Sequence, residues 1–116
     1  MSRIIRTDAN QVLAKAVEYH GFVYTQGVVA ADPTQDITGQ TRDVLAQLDT
    51  LLEIHGTDST RLLQAQIWLK NIADREAFNK LWSAWLPEAA APARACVQAV
   101  LASPEYLVEV MVTACR

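Results

Sequence analysis

Cysteine, glycine and proline are scarce in this 116-residue chain, with two, four and four residues respectively. Cys96 and Cys115 stand in neither a CxxC pair nor a zinc spacing, which excludes a disulfide scaffold and points to free thiols in a reducing compartment. Gly21, Gly27, Gly39 and Gly56 are isolated, so they cannot form a phosphate-cradling loop. Long apolar runs are missing too: none approaches the ~20 residues of a membrane span. The stretch Met1–Ala9 is polar and has no signal-peptide core, so a cytoplasmic protein with no membrane partner is expected. Nor is positive charge in excess. Ten Lys and Arg against thirteen Asp and Glu leave −3, and the two signs are interspersed, which removes the clustered basic face that nucleic-acid binding uses. His20 and His55 have no metal-ligand neighbour at helical spacing and no HExxH frame, so no metal is expected.

What is present is globular: 51% apolar and 20% charged residues, in a length that suits one domain over residues 1–116. Val12–Tyr19 and Phe22–Val28 read as two strands around a glycine-bearing turn at His20-Gly21. After the break at Asp32-Pro33-Thr34, Ile37, Val44, Leu45, Leu48, Leu51 and Leu52 fall on one face of a helix from Ile37 to Ile54, stopped by Gly56. Leu62–Leu69 alternates as a strand does, although eight residues of this kind could also form a helix. Asp74 can cap a second helix whose Phe78, Leu81, Trp82 and Trp85 form an aromatic stripe that reads as core, and Pro87 ends it. Ala93–Leu101 and Tyr106–Thr113 then read as strands joined in a hairpin at Ser103-Pro104. The order β-β-α-β-α-β-β predicts an α+β domain with a mixed sheet and both helices on one face. Alternation in the last strand sets Val108, Val110 and Val112 against Leu107, Glu109 and Met111, so both sides are largely apolar. The face without helices is expected to pack against copies of itself in a closed oligomer.

Two charges interrupt these apolar strands, Arg94 in Ala93–Val97 and Glu109 in Leu107–Met111. A hairpin at Ser103-Pro104 would set Glu109 opposite Gln98 and align Arg94, Cys96, Gln98 and Glu109 on one face, with Arg94 roughly 13 Å along the strand, a gap for a small ligand. The competing reading makes Arg94 and Glu109 interface or edge residues paired with other charges. Cys96 alone reads as an inert buried thiol, and Tyr19, Tyr24 and Trp68 as strand packing.

At these residues the chain resembles the RidA family, also called YjgF, of reactive-imine deaminases. Pro92–Val110, PARACVQAVLASPEYLVEV, is similar to the family's signature of Pro, a small residue, Arg and a Glu near the end of the next apolar strand. The likeness extends through GFVYTQG (Gly21–Gly27), the Gln40-Thr41 helix start, the Leu48–Gly56 helix end and Phe78-Asn79. WSAW (Trp82–Trp85) and the Pro104–Tyr106 turn resemble the YoaB-like branch. This resemblance implies a chorismate-mutase-like trimer with clefts at the subunit interfaces and no cofactor. It also implies hydrolysis of 2-iminobutanoate, 2-iminopropanoate or 2-aminoacrylate to a 2-keto acid and ammonia. Arg94 would grip the substrate carboxylate and Glu109 would place the attacking water, while Gly27, Asn79, Cys96 and Gln26 would line the pocket. Two stretches depart from the main branch: Gln11-Val12-Leu13 replaces a Gly-Pro-Tyr, and Gln26 stands where serine is common. The alternative is a non-catalytic regulatory trimer that binds small carboxylates. A third reading, a ribonuclease or translational inhibitor, is disfavoured by the acidic balance.

Overall fold

A computed structural model describes residues 3–116, so the first two residues of the polar stretch Met1–Ala9 lie outside it. Its elements are β1 (Ile5–Thr7), β2 (Ala16–Tyr19), β3 (Phe22–Thr25), β4 (Val28–Val29), α1 (Ile37–Ile54), β5 (Leu62–Leu69), α2 (Arg75–Trp85), β6 (Ala93–Gln98) and β7 (Val108–Cys115). Short 3₁₀ turns occur at Ser59–Arg61 and Ile72–Asp74. The strands form one sheet in the order β1-β2-β3-β7-β5-β6, and β4 adds to β7. β5 and β6 are parallel while the other pairs are antiparallel, so this is the expected mixed sheet of a single α+β domain. Among the described residues no helix is long and apolar enough to cross a membrane.

Local chemistry accounts for the clearest elements. Asp36 caps α1 by accepting a 2.9 Å hydrogen bond from Gly39 N–H, and Gly56 follows with φ of 72°, the left-handed conformation that ends helices. His20 and Gly21 both have positive φ, 52° and 80°, the two-residue turn whose twist suits a hairpin. Val44, Leu48 and Leu52 of α1 and Phe78 and Trp82 of α2 pack in one core with Val108, Val110, Val112 and Ala114. Both helices therefore cover the same face. On the other face Tyr19, Phe22, Tyr24, Val97 and Met111 remain 41 to 46% exposed, an apolar surface without a cover.

The strand boundaries differ from expectation at the first hairpin, which is Ala16–Tyr19 and Phe22–Thr25, and β1 and β4 are additional. More consequential is the C-terminal pair, for β6 and β7 do not form a hairpin. β5 lies between them, parallel to β6 through the α2 crossover and antiparallel to β7. Ala99 N–H donates to Leu69 O and Lys70 N–H to Leu107 O, so the end of β5 is wedged between the two strands.

Two buried polar groups tie the fold together. Gln40, fully buried, donates through Nε2 to the carbonyls of Pro33, Gln35 and Glu105 and accepts from Leu107 N–H at 2.9 Å. At the far end of the sheet, His55 Nδ1 lies 3.0 Å from Glu18 Oε1 and Arg116 donates to Glu18 Oε2 at 2.5 Å. The His55 hydrogen bond, ahead of Arg116, holds the Glu18 carboxyl below its ordinary 4.5. A depressed carboxyl stabilises the fold above the ordinary value and loses that contribution as pH falls through the lowered one. Urea midpoints are therefore expected to drop on acidification below 4.5, and Glu18→Gln is expected to flatten part of that drop; an unchanged acid profile in the variant would contradict the assignment.

Candidate functional site

Arg94 sits on β6, the edge strand. Its row passes through Ala65, that of Cys96 through Ile67 and that of Gln98 through Leu69, all buried beneath the helices. Alternation therefore turns Arg94, Cys96 and Gln98 toward the helix side. There the guanidinium carbon lies 5.9 Å from the ring centroids of both Phe78 and Trp82, within cation–π reach of each. The two rings stack on one another at 5.7 Å, and Trp85 Nε1 donates to Asp49 Oδ1 at 3.0 Å, pinning α2 to α1. The aromatic stripe is core, as its spacing predicts, and it is also the seat of the arginine. Among the described residues no carboxylate pairs with Arg94.

The surroundings of Arg94 present donors and one orphan acceptor. Since Ala99 N–H donates to Leu69 O, alternation in the parallel ladder directs the N–H groups of Arg94 and Cys96 away from β5, off the free edge. Among the described residues Asn79 Oδ1 on α2 has no hydrogen-bond partner, although it is buried. Burial pushes the Cys96 thiol up, against the smaller opposing pull of Arg94 and Arg75, so it is held as a thiol rather than a nucleophilic thiolate. Gln98 accepts from Ile72 N–H at 2.9 Å and fixes where α2 begins over β6.

Glu109 belongs to a second locus. It stands opposite Trp68 on β5 and Val29 on β4, on the face that the helices leave open. A Cβ built on Gly27 would overlap its Oε2, so only glycine leaves room for the carboxyl at this place. Burial raises the Glu109 carboxyl above its ordinary value. Such a group exchanges protons closer to neutrality than a solvated carboxylate does.

These two loci do not meet within one chain, which corrects the expectation that Arg94, Cys96, Gln98 and Glu109 share a face. The first three do, and Glu109 is on the opposite one. With β5 interposed, the Arg94 row crosses it at Ala65 and the Glu109 row at Trp68, roughly 14 Å apart by strand spacing and rise. A groove of about 470 Å³ on the uncovered face, bounded by Gln66, Trp68, Ala95 and Met111, has Arg94 at its rim. Gln26 is elsewhere, in a recess with Lys15 and Gln47 against α1. Leu13 lies in an exposed turn held by Asn10, whose side chain accepts from the N–H groups of Val12 and Leu13. Among the described residues no cluster of His, Cys, Asp and Glu could hold a metal. Gln40 is the residue that motif reading undervalued: its bond to Leu107 N–H sets the start of β7, two residues before Glu109. The signal was a glutamine on the apolar face of α1.

A family model described as endoribonuclease L-PSP matches residues 5–116. The RutC family protein YoaB of Escherichia coli strain K12 is 37% identical over 111 residues, 96% of this chain and 96% of its own. A crystal structure of a YjgF-family member from Neisseria meningitidis superposes with a TM-score of 0.93 at 36% identity, over 98% of this chain and 95% of that one. More distant, at 31% identity over 82% of this chain and 79% of its own, is the 3-aminoacrylate deaminase RutC of Acinetobacter baylyi. The chain belongs to the YjgF/RidA family. This YjgF/RidA domain carries Gly27, Asn79, Arg94, Cys96 and Glu109 all within the matched span.

Because the atom that a new Cβ meets at Gly27 is the end of a flexible side chain, Gly27→Ala is expected to fold and to displace the Glu109 carboxyl. On the deaminase reading proposed below, imine turnover is expected to fall at least tenfold with little change in thermal midpoint. A fully active Gly27→Ala would show that the placement of Glu109 is immaterial.

Proposed function

We propose that this protein is an imine and enamine deaminase, which converts small 2-imino acids and their enamine tautomers, such as 2-aminoacrylate, to 2-keto acids and ammonia. The observation that carries the reading is an arginine seated on two aromatic rings with no acidic partner. A guanidinium so placed has its planar fork free for a substrate carboxylate. The outward N–H of Cys96, two residues along β6, suits an oxygen, and the unpartnered acceptor of Asn79, next to Phe78 on α2, suits the N–H of an imine.

The chemistry asks little more. Glu109 orients a water and takes its proton as the oxygen bonds to the imine carbon, and the C=N electrons move to nitrogen, which gains a proton. Collapse of the resulting carbinolamine breaks the C–N bond, and ammonia leaves as the C=O forms. Since one chain keeps Arg94 and Glu109 apart, the proposed site takes its arginine from one copy and its glutamate from the next, in a homotrimer closed over the uncovered apolar face. The name of the Acinetobacter baylyi relative supports an enamine substrate. A non-catalytic carboxylate sensor would use the Arg94 locus equally well, but it gives no use to the glutamate that Gly27 accommodates. The family description as an endoribonuclease finds no basic stripe here, with −3 overall.

Arg94→Ala is expected to lose roughly two to four decades in kcat/KM, about 3 to 5 kcal/mol of transition-state binding, and Arg94→Lys to regain little. Imine-to-keto-acid turnover and mass by light scattering are to be measured on the same sample, with three chain masses expected for wild type and variant alike. An intact trimer with near-normal turnover would remove Arg94 from the mechanism.

A further inference from the structure

Arg94 is not the only cation on this edge. Arg75 opens α2, and counting three, four and seven residues onward reaches Phe78, Asn79 and Trp82, so Arg75 belongs to the same stripe that faces β6. The helix is registered on the strand at two points. The Ile72 N–H bond to Gln98 fixes its entry, and the contacts of Phe78 and Trp82 with Arg94 fix its middle. Arg75 falls between those points along the chain and is exposed, and its positive charge, like that of Arg94, opposes the burial that raises the Cys96 thiol. Cys96 itself is two residues, roughly 7 Å, from Arg94 along β6.

Among the described residues no carboxylate forms an ion pair with this second cation, although Asp74 and Glu76 flank it in sequence. The first turn of a helix is also where the macrodipole disfavours positive charge. Asn79, one helical turn after Arg75 and next to Phe78, carries a buried Oδ1 with no hydrogen-bond partner among the described residues.

We propose that Arg75 is a specificity residue that receives a second carboxylate, so that the preferred ligands are four- and five-carbon 2-imino or 2-keto dicarboxylic acids rather than the short monocarboxylates. The 2-carboxylate lies on Arg94 and the side-chain carboxylate on Arg75, with the imine nitrogen toward Asn79. This rests on the deaminase reading for the use of the Arg94 locus, but not for its test, which is a binding measurement.

Calorimetric titration with 2-oxoglutarate and with 2-oxobutanoate reads the preference directly. Wild type is expected to bind 2-oxoglutarate at least tenfold more tightly, and Arg75→Gln to cost the dicarboxylate at least tenfold more than it costs the monocarboxylate. Lys80→Gln, on the same helix but off the stripe, is expected to leave the ratio where it was. Equal affinities in wild type, or a ratio that Arg75→Gln does not move, would overturn the inference. If monocarboxylate imines are turned over while no dicarboxylate preference exists, this inference fails alone; if neither keto acid binds, the deaminase reading fails with it.

Discussion

An arginine in an apolar strand needs a partner, and the one Arg94 has is a pair of rings rather than a carboxylate. Cation–π contact with Phe78 and Trp82 steadies the guanidinium without consuming its hydrogen-bonding fork. A carboxylate in the same place would have stabilised the charge more and left nothing for a ligand. The rest of the site follows from this: α2 must lie over β6 in one register, which the Gln98 and Trp85 hydrogen bonds maintain, and β6 must stay an edge so that its outward N–H groups remain unpaired. The local arrangement costs the fold some strand pairing and leaves the guanidinium fork and the outward N–H groups of β6 free, as the proposed carboxylate site requires.

The second constraint is the position of β5. By separating β6 from β7 it places the arginine and the glutamate on opposite faces, and it makes β7 a central strand with neighbours on both sides. A central β7 can hold Glu109 rigidly against Gly27, and Gln40 holds the start of the same strand from α1. Burial of Glu109 without a cation is unfavourable for the isolated chain. In the proposed trimer, a second copy over this face would relieve both that cost and the exposure of Tyr19, Phe22, Tyr24 and Met111.

Much of this was legible in the sequence. α1 runs from Ile37 to Ile54 as predicted because a long periodic pattern with caps is a strong local signal, and the alternation of Leu62–Leu69 resolves to strand β5 rather than to a helix. The alternation of β7 was correct as well, with Val108, Val110 and Val112 buried. Strand partnership was not legible: two apolar strands around Ser103-Pro104 look like a hairpin, and no local feature reports that β5 is wedged between them. β1 and β4, strands of three and two residues, carry no periodic signal of their own and exist only through their partners. Arg94 and Glu109 could be picked out as charges among apolar neighbours, but their faces depend on the sheet order. The aromatic stripe could be read as core from its spacing; its second use as the seat of Arg94 needed the packing of α2 on β6.

The central claim is that the catalytic constellation is divided between two copies, and subunit mixing tests it most directly. Arg94→Ala and Glu109→Gln chains, each inactive alone, are to be co-refolded in equal amounts and assayed for imine hydrolysis. In a cyclic trimer every mixed assembly rebuilds one interface with both groups intact, so about a quarter of wild-type activity is expected from random mixing. If the mixture stays as inactive as its parents while mixed trimers demonstrably form, the arginine and glutamate act from the same chain and the shared site is wrong.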